Sequence, residues 1–203
     1  MISMTHTQLQ TQTQKVVLSK QQNVLGVNHL KQINNLVDGS NFSWFYYSDV
    51  HRINPEHRQE WNLARHCFVH QCWFDNQQLS QYFPIFEPIF YKMADAINVE
   101  YIKPLKMQVN MMLNVGKTVD GNEHIDGFLD QEQNDLEWFT GIYYINDSDG
   151  DTTIFLPNGE KEIVSPISDS LVVFNGELVH SAQLPLKHNR RIAVNVNFLG
   201  RKL

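Results

Sequence analysis

Two histidines and an aspartate carry the most chemistry in this chain. His124-Ile125-Asp126 sets an imidazole and a carboxylate two positions apart. His180 follows far downstream, after the apolar run Leu171–Phe174 and a turn at Asn175-Gly176. On a β-strand, residues i and i+2 project to one side, so His124 and Asp126 can reach the same ion; on a helix they diverge. Two imidazoles and one carboxylate make a facial triad, the donor set that holds non-haem Fe(II) and leaves positions open for a co-substrate and O₂. In a chain with nine histidines an HxD pattern arises easily by chance, so the surrounding strands have to decide.

The segment RRIAVNVNFL at 190–199 reads as a strand with two unlike faces. Ile192, Val194, Val196 and Phe198 form an apolar side. Arg191, Ala193, Asn195 and Asn197 form a polar, partly small side, which suits the wall of a polar cavity. An inward guanidinium needs an anion and forks onto a carboxylate. Arg191 belongs to that side and Arg190 does not. The strand expected at 105–114 repeats the pattern: Lys106, Gln108, Asn110 and Asn114 alternate with Met107, Val109, Met111 and Leu113. Asn110 is its best candidate for the same cavity; a solvated sheet face is the competing reading.

The elements that must position these residues change character near residue 100. Before it, a strand begins near Val16. A helix is expected over 27–37, stopped by Asp38-Gly39-Ser40, and the aromatic run Phe42–Tyr47 is expected to be buried against a sheet. A loop follows over 51–62, then a strand at 67–74 and a long helix over 78–97 in which Pro84 and Pro88 force a late start or a kink. After residue 100 come short strands at 105–114, 138–146, 151–155, 160–164, 170–175 and 190–199, separated by Gly, Pro, Asn and Asp turns. That spacing points to a sandwich or jelly roll with the early helices on one sheet, a mainly β protein with supporting α elements. Residues 1–14, rich in Thr and Gln, read as a flexible tail. The acidic segment 127–137, GFLDQEQNDLE, beside the metal motif, reads as a substrate lid.

These segments resemble the Fe(II)/2-oxoglutarate-dependent oxygenases, in particular their prolyl-4-hydroxylase-like group with its phage and bacterial members. The resemblance spans roughly 105–199. It comprises HID at 124–126, GIYYIN at 141–146, DGDTTIF at 149–155, IVSPISDSLVVF at 163–174, LVHSAQLP at 178–185 and RRIAVNVNF at 190–198. FSWFYY at 42–47 is similar to an aromatic stretch of phage members. The resemblance implies a double-stranded β-helix in a single domain over 1–203, with 15–100 as support and 101–203 as catalytic core. It implies Fe(II) on His124, Asp126 and His180. It also implies 2-oxoglutarate with its far carboxylate on Arg191 and a hydrogen bond from Tyr143, with Tyr144 as the alternative. The implied activity is hydroxylation of an unactivated C–H bond using O₂, with release of succinate and CO₂. The substrate would be a prolyl residue of a peptide or protein, a free amino acid or another small molecule. The chain departs from the family's pattern at Asp149 and Asp151, where it has a glycine and a glutamate, and at Asp169 or Ser170, where it has a glycine.

The remaining features set limits. At 203 residues, with 42% hydrophobic and 19% charged residues, the chain is long enough for one domain with a real core. A net charge of −6 argues against nucleic acid as a partner. Cys67 and Cys72, five apart on one strand, face opposite ways and are not expected to pair, so the location is expected to be cytoplasmic, in the host cytoplasm if the chain is viral. No segment suits a membrane helix. NDSDGDTT at 146–153 lacks the glycine and glutamate of a calcium loop, His66 and His70 read as packed or surface histidines, and the basic C-terminus reads as a solvated end. The alternative function is a jelly-roll metal- or carbohydrate-binding protein without turnover, and an inward Arg191 argues against it.

Overall fold

The structure, a computed structural model, describes residues 17–48, 66–126 and 135–203. The tail expected at 1–14, the loop at 51–62 and residues 127–134 of the acidic segment lie outside the described residues.

The element order is β1 (Leu18–Gln22), α1 (Val27–Val37), β2 (Phe45–Tyr47), β3 (Cys67–Phe74), β4 (Gln77–Gln78), α2 (Phe83–Phe86), α3 (Pro88–Ile97), β5 (Val99–Leu113), β6 (Glu137–Tyr144), β7 (Thr152–Phe155), β8 (Lys161–Val164), β9 (Ser170–Asn175), β10 (His180–Ala182) and β11 (Arg190–Lys202). Among the described residues they form a major sheet in the order β1-β9-β6-β11-β5-β3-β2, with β4 on β3, and a minor sheet β10-β7-β8. Every pairing is antiparallel. Two isolated bridges, Asp120–Gln183 and His124–His180, make 120–124 an incomplete fourth strand of the minor sheet. This is the expected jelly roll, with the helices on the outer face of the major sheet.

Two cores follow from strand alternation. On the helical side, Ile192, Val194, Val196 and Phe198 of β11 pack with Phe86, Phe90, Met93 and Tyr143. Between the sheets, Ala193 packs with Ile142, Tyr144, Ile154, Val172 and Phe174. The 78–97 helix is two helices. Pro84 sits in the first turn of α2 and Pro88 opens α3, positions where the missing N–H costs nothing. Asn98, left-handed at φ 55°, ends α3. Leu79, expected on the apolar stripe, is exposed ahead of both helices.

The aromatic run also differs from expectation. Phe42 is buried, stacked on His70, but Phe45, Tyr46 and Tyr47 are exposed on β2, the last strand of the major sheet. An edge strand has no neighbour on one side and need not bury its side chains. Among the described residues no helix is long and apolar enough to cross a membrane.

Asp169 explains one departure in the sequence. It adopts φ 58°, the left-handed region that glycine fills cheaply and aspartate tolerates. Its carboxylate accepts hydrogen bonds from Leu25 N (2.9 Å), Gly26 N (3.1 Å) and the Tyr143 hydroxyl (2.9 Å). The α1 N-terminus has no side-chain cap of its own, and Asp169 supplies the acceptor and the negative charge that a helix start favours. Asp169→Ala should lower the unfolding free energy by about 2 kcal/mol or more, through the lost buried hydrogen bonds. Asp169→Gly should be milder by about 1 kcal/mol, because it escapes the left-handed penalty. Equal losses in denaturant unfolding would contradict this account.

Candidate metal centre

His124 and His180 face each other across the minor sheet. Their backbones exchange both bridge hydrogen bonds, His124 N to His180 O at 3.0 Å and His180 N to His124 O at 2.9 Å. Their rings lie 4.4 Å apart. Each Nδ1 meets a carbonyl two residues earlier in its own chain, Asn122 O at 2.9 Å and Leu178 O at 3.1 Å. A carbonyl only accepts, so both Nδ1 atoms carry the proton and both Nε2 atoms keep the lone pair that a metal needs. The His180 Nε2 is buried without a hydrogen-bond partner among the described residues, 3.9 Å from Asp126 Oδ2. One donor atom from each of His124, Asp126 and His180 lies within 4.8 Å of the others. The donor set and the orphaned nitrogen both fit a divalent metal.

Asp126 reaches this point from outside any strand. The i, i+2 argument therefore describes His124, which forms a β-bridge, but not its partner. Two sheet residues fix the carboxylate instead. Asn197 donates to Asp126 Oδ2 (3.0 Å) and to Thr140 Oγ1 (2.9 Å), and Lys106 Nζ lies 3.4 Å from Asp126 Oδ1. Burial alone would raise the Asp126 pKa. The Lys106 ammonium, the two histidines and the Asn197 hydrogen bond outweigh it and hold the group well below the usual carboxylate range. His124 is pushed down to about 4, first by burial and then by the neighbouring imidazole, against the pull of Asp126.

Arg191 lies deeper in the same cavity, 2% exposed. Its Nη2 donates to Thr152 Oγ1 at 2.9 Å, and its guanidinium lies 5.5 Å from the centre of the Tyr144 ring. No described carboxylate forms an ion pair with it, and its Nε has no partner. A buried guanidinium in this state is a receptor for an anion. Gly150 makes room for it: a Cβ there would sit 3.1 Å from Arg191 Cδ and 2.4 Å from Gln183 O.

The structure separates the two tyrosines. Tyr143 pairs with Val194 of β11, on the helical side, and its hydroxyl is taken by Asp169. It does not reach the cavity, so its expected contact with 2-oxoglutarate is corrected. Tyr144 pairs with Ala193, on the cavity side, and donates to Thr152 Oγ1 at 2.8 Å. Asn110 does line the cavity, accepting from Gln108 Nε2 at 2.7 Å, as do Lys106 and Asn195. Thr152, which joins Tyr144 to Arg191, and Thr140, which steadies Asn197, were not singled out from sequence; the doubled threonine before Ile154 was the available signal for Thr152.

Other polar features have structural roles. His70 bonds to Ser43 O and Ser80 Oγ. Asp149 accepts from the backbone N–H groups of Leu186, Lys187 and His188, which closes the turn expected there. The C-terminal cations are paired: Arg190 with Asp38, Arg201 with Glu100 and Asp135, and Lys202 with Glu137. Cys67 and Cys72 are free, lie in different apolar clusters and have thiol pKa values raised to about 12 by burial.

The fold is that of the 2-oxoglutarate/Fe(II) oxygenases. A prolyl hydroxylase from Trichoplax adhaerens, solved with a peptide fragment of the hypoxia inducible factor oxygen degradation domain, superposes with a TM-score of 0.60 at 15% identity, over 91% of this chain and 83% of that one. A Pseudomonas putida prolyl-4-hydroxylase gives 0.54 at 16% identity, over 92% and 93%. HygX from Streptomyces hygroscopicus, solved with nickel and 2-oxoglutarate bound, gives 0.58 at 10% identity, over 91% and 82%. No family model and no curated protein matches the chain.

The depressed His124 pKa sets a pH dependence. The unfolded chain takes up this proton near 6.5 and the folded chain near 4, so the folded state is favoured in full above 6.5 and loses that advantage as pH falls through about 4. Between those values the metal-free protein should lose up to about 1.4 kcal/mol of stability per pH unit from this group. Denaturant unfolding with chelator at pH 7, 6 and 5 should show the slope in the wild type and a shallower one in His124→Gln. Identical slopes would refute it.

Proposed function

We propose that this chain is an Fe(II)- and 2-oxoglutarate-dependent dioxygenase that hydroxylates a C–H bond. One observation carries the reading: a single cavity holds a metal-ready His-Asp-His set with an orphaned nitrogen and a buried guanidinium lacking an anion. When bound, iron and 2-oxoglutarate activate O₂; one oxygen atom enters substrate as hydroxyl and the other enters succinate as CO₂ leaves.

The chain's own residues do the positioning. His124 and His180 present neutral Nε2 atoms, because their Nδ1 protons are committed to backbone carbonyls. Asp126 brings one negative charge and is aimed by Asn197. Arg191 receives the far carboxylate of 2-oxoglutarate, with Thr152 and Tyr144 fixing its fork. Asn110 and Asn195 offer amides along the wall between them. The likeness in fold to a prolyl hydroxylase solved with a peptide fragment and to a prolyl-4-hydroxylase supports a prolyl residue as substrate, with a free amino acid as the other reading.

Fe(II) and 2-oxoglutarate, added to the protein without oxygen, should give a visible metal-to-ligand charge-transfer band. His180→Ala should abolish it. Arg191→Ala should raise the half-saturating 2-oxoglutarate concentration by about tenfold or more, the loss of a charged hydrogen-bonded pair. Admitting oxygen should give succinate in the wild type. A folded wild-type protein with no band would instead support the non-catalytic binding reading.

A further inference from the structure

We propose that Lys106, with Asn195, forms a receptor for a free α-amino acid. The proposal rests on the oxygenase reading and narrows its substrate class.

The first observation is placement. On β5 the cavity side runs Met112, Asn110, Gln108, Lys106. On β11 it runs Arg191, Ala193, Asn195, Asn197, in register, so that Arg191 faces Met112 and Asn197 faces Lys106. The backbones of Arg191 and Lys106 therefore mark opposite ends of one polar strip, and their side chains reach toward one cavity. Asp126 sits on the Lys106 side of it. This side is also open to solvent: the lysine side chain keeps 17% of its exposure.

The second observation is charge. Among the described residues, the charged side chains lining the cavity besides the histidines are Lys106, Arg191 and Asp126. Asp126 is claimed by the metal and Arg191 by 2-oxoglutarate. The two charges of Fe(II) cancel those of 2-oxoglutarate, so the loaded cavity keeps one positive charge. It falls at the Lys106 end, where the ammonium would share Asp126, 3.4 Å away, with the metal. A largely buried ammonium whose anion is shared gains from a second carboxylate.

The third observation is two unused acceptors. The Oδ1 atoms of Asn195 and Asn197 are buried and have no hydrogen-bond partner among the described residues, and Asn197 is fully buried. Asn195 lines the cavity, two residues along β11 from Asn197, which pairs with Lys106. An ammonium beside a carboxylate satisfies both halves of this arrangement: the carboxylate meets Lys106 and the ammonium donates to the Asn195 amide oxygen. A prolyl residue inside a polypeptide has neither charge.

The test uses the protein loaded with Fe(II) and 2-oxoglutarate without oxygen, titrated with the common free L-amino acids and their primary amides, with binding read from the charge-transfer band. At least one free acid should bind, and its amide should bind about tenfold or more weakly. Lys106→Met should weaken the acid by a similar factor and leave the amide unchanged, and Lys106→Arg should restore most of the acid's affinity. Each variant is titrated at Fe(II) and 2-oxoglutarate concentrations that saturate its own band, so that the acid-to-amide ratio is read separately from any change at Asp126. A band with no free acid binding, or equal binding of acid and amide, overturns the proposal alone. So does a Lys106→Met variant that weakens acid and amide equally. A wild-type protein with no band overturns the oxygenase reading, and this proposal with it.

Discussion

Strand β11 runs between β5 and β6, and its side chains alternate between two environments that cannot be exchanged. Ile192, Val194, Val196 and Phe198 hold the helices to the major sheet. Arg191 and Asn195 face the cavity, and Asn197 faces Asp126. A one-residue slip would drive a guanidinium and two amides into the apolar core and turn the core residues toward Asp126 and the paired histidines. The same register that builds the core thus sets the cavity, and β5 and β6 inherit their facing from it through continuous pairing.

The cavity concentrates polar groups that folding alone leaves incomplete. His180 Nε2, Arg191 Nε and the amide oxygens of Asn195 and Asn197 are all buried without partners among the described residues. Such groups lower stability unless something else completes them. The last three gather on β11 and the first belongs to the paired histidines, and that grouping is what separates this jelly roll from one built only to fold. The electrostatics agree: Asp126 is kept ionised and His124 neutral, the protonation states that a divalent cation requires.

Much of this was legible in the residues, for a definite reason. Strand parity is exact, so Arg191 could be told from Arg190, and the polar side of 105–114 could be named a candidate for the same cavity, with a solvated face left open. Which strand pairs with which, and so whether the two polar sides meet, is a property of register that parity does not give. The preference for Tyr143 over Tyr144 came from resemblance, and the pairing of β6 with β11 puts Tyr144 on the cavity side. Asp126 lies off the strand and is held by Lys106 and Asn197, contacts between distant segments that local spacing does not encode. The exposed β2 aromatics show the same limit: composition favoured burial, and position at the sheet edge decided otherwise. Asp169 looked like a lost glycine and proves to replace a backbone requirement with a side-chain anchor.

The two cysteines acquire a use from where they sit. Cys72 lies in the large cluster under the helices, and Cys67 in a small one with Val69, Met112 and Leu184, close behind the Arg191 end of the cavity. On opposite faces of one strand, both nearly sealed from solvent and both strongly protonated, they ignore thiol reagents while their own side of the sheet stays closed. The chain therefore carries a built-in pair of chemical clocks: Cys67 times opening around Val69, Met112 and Leu184, and Cys72 times opening beneath the helical layer, so the two sides of the sheet can be followed separately without introducing a foreign label site.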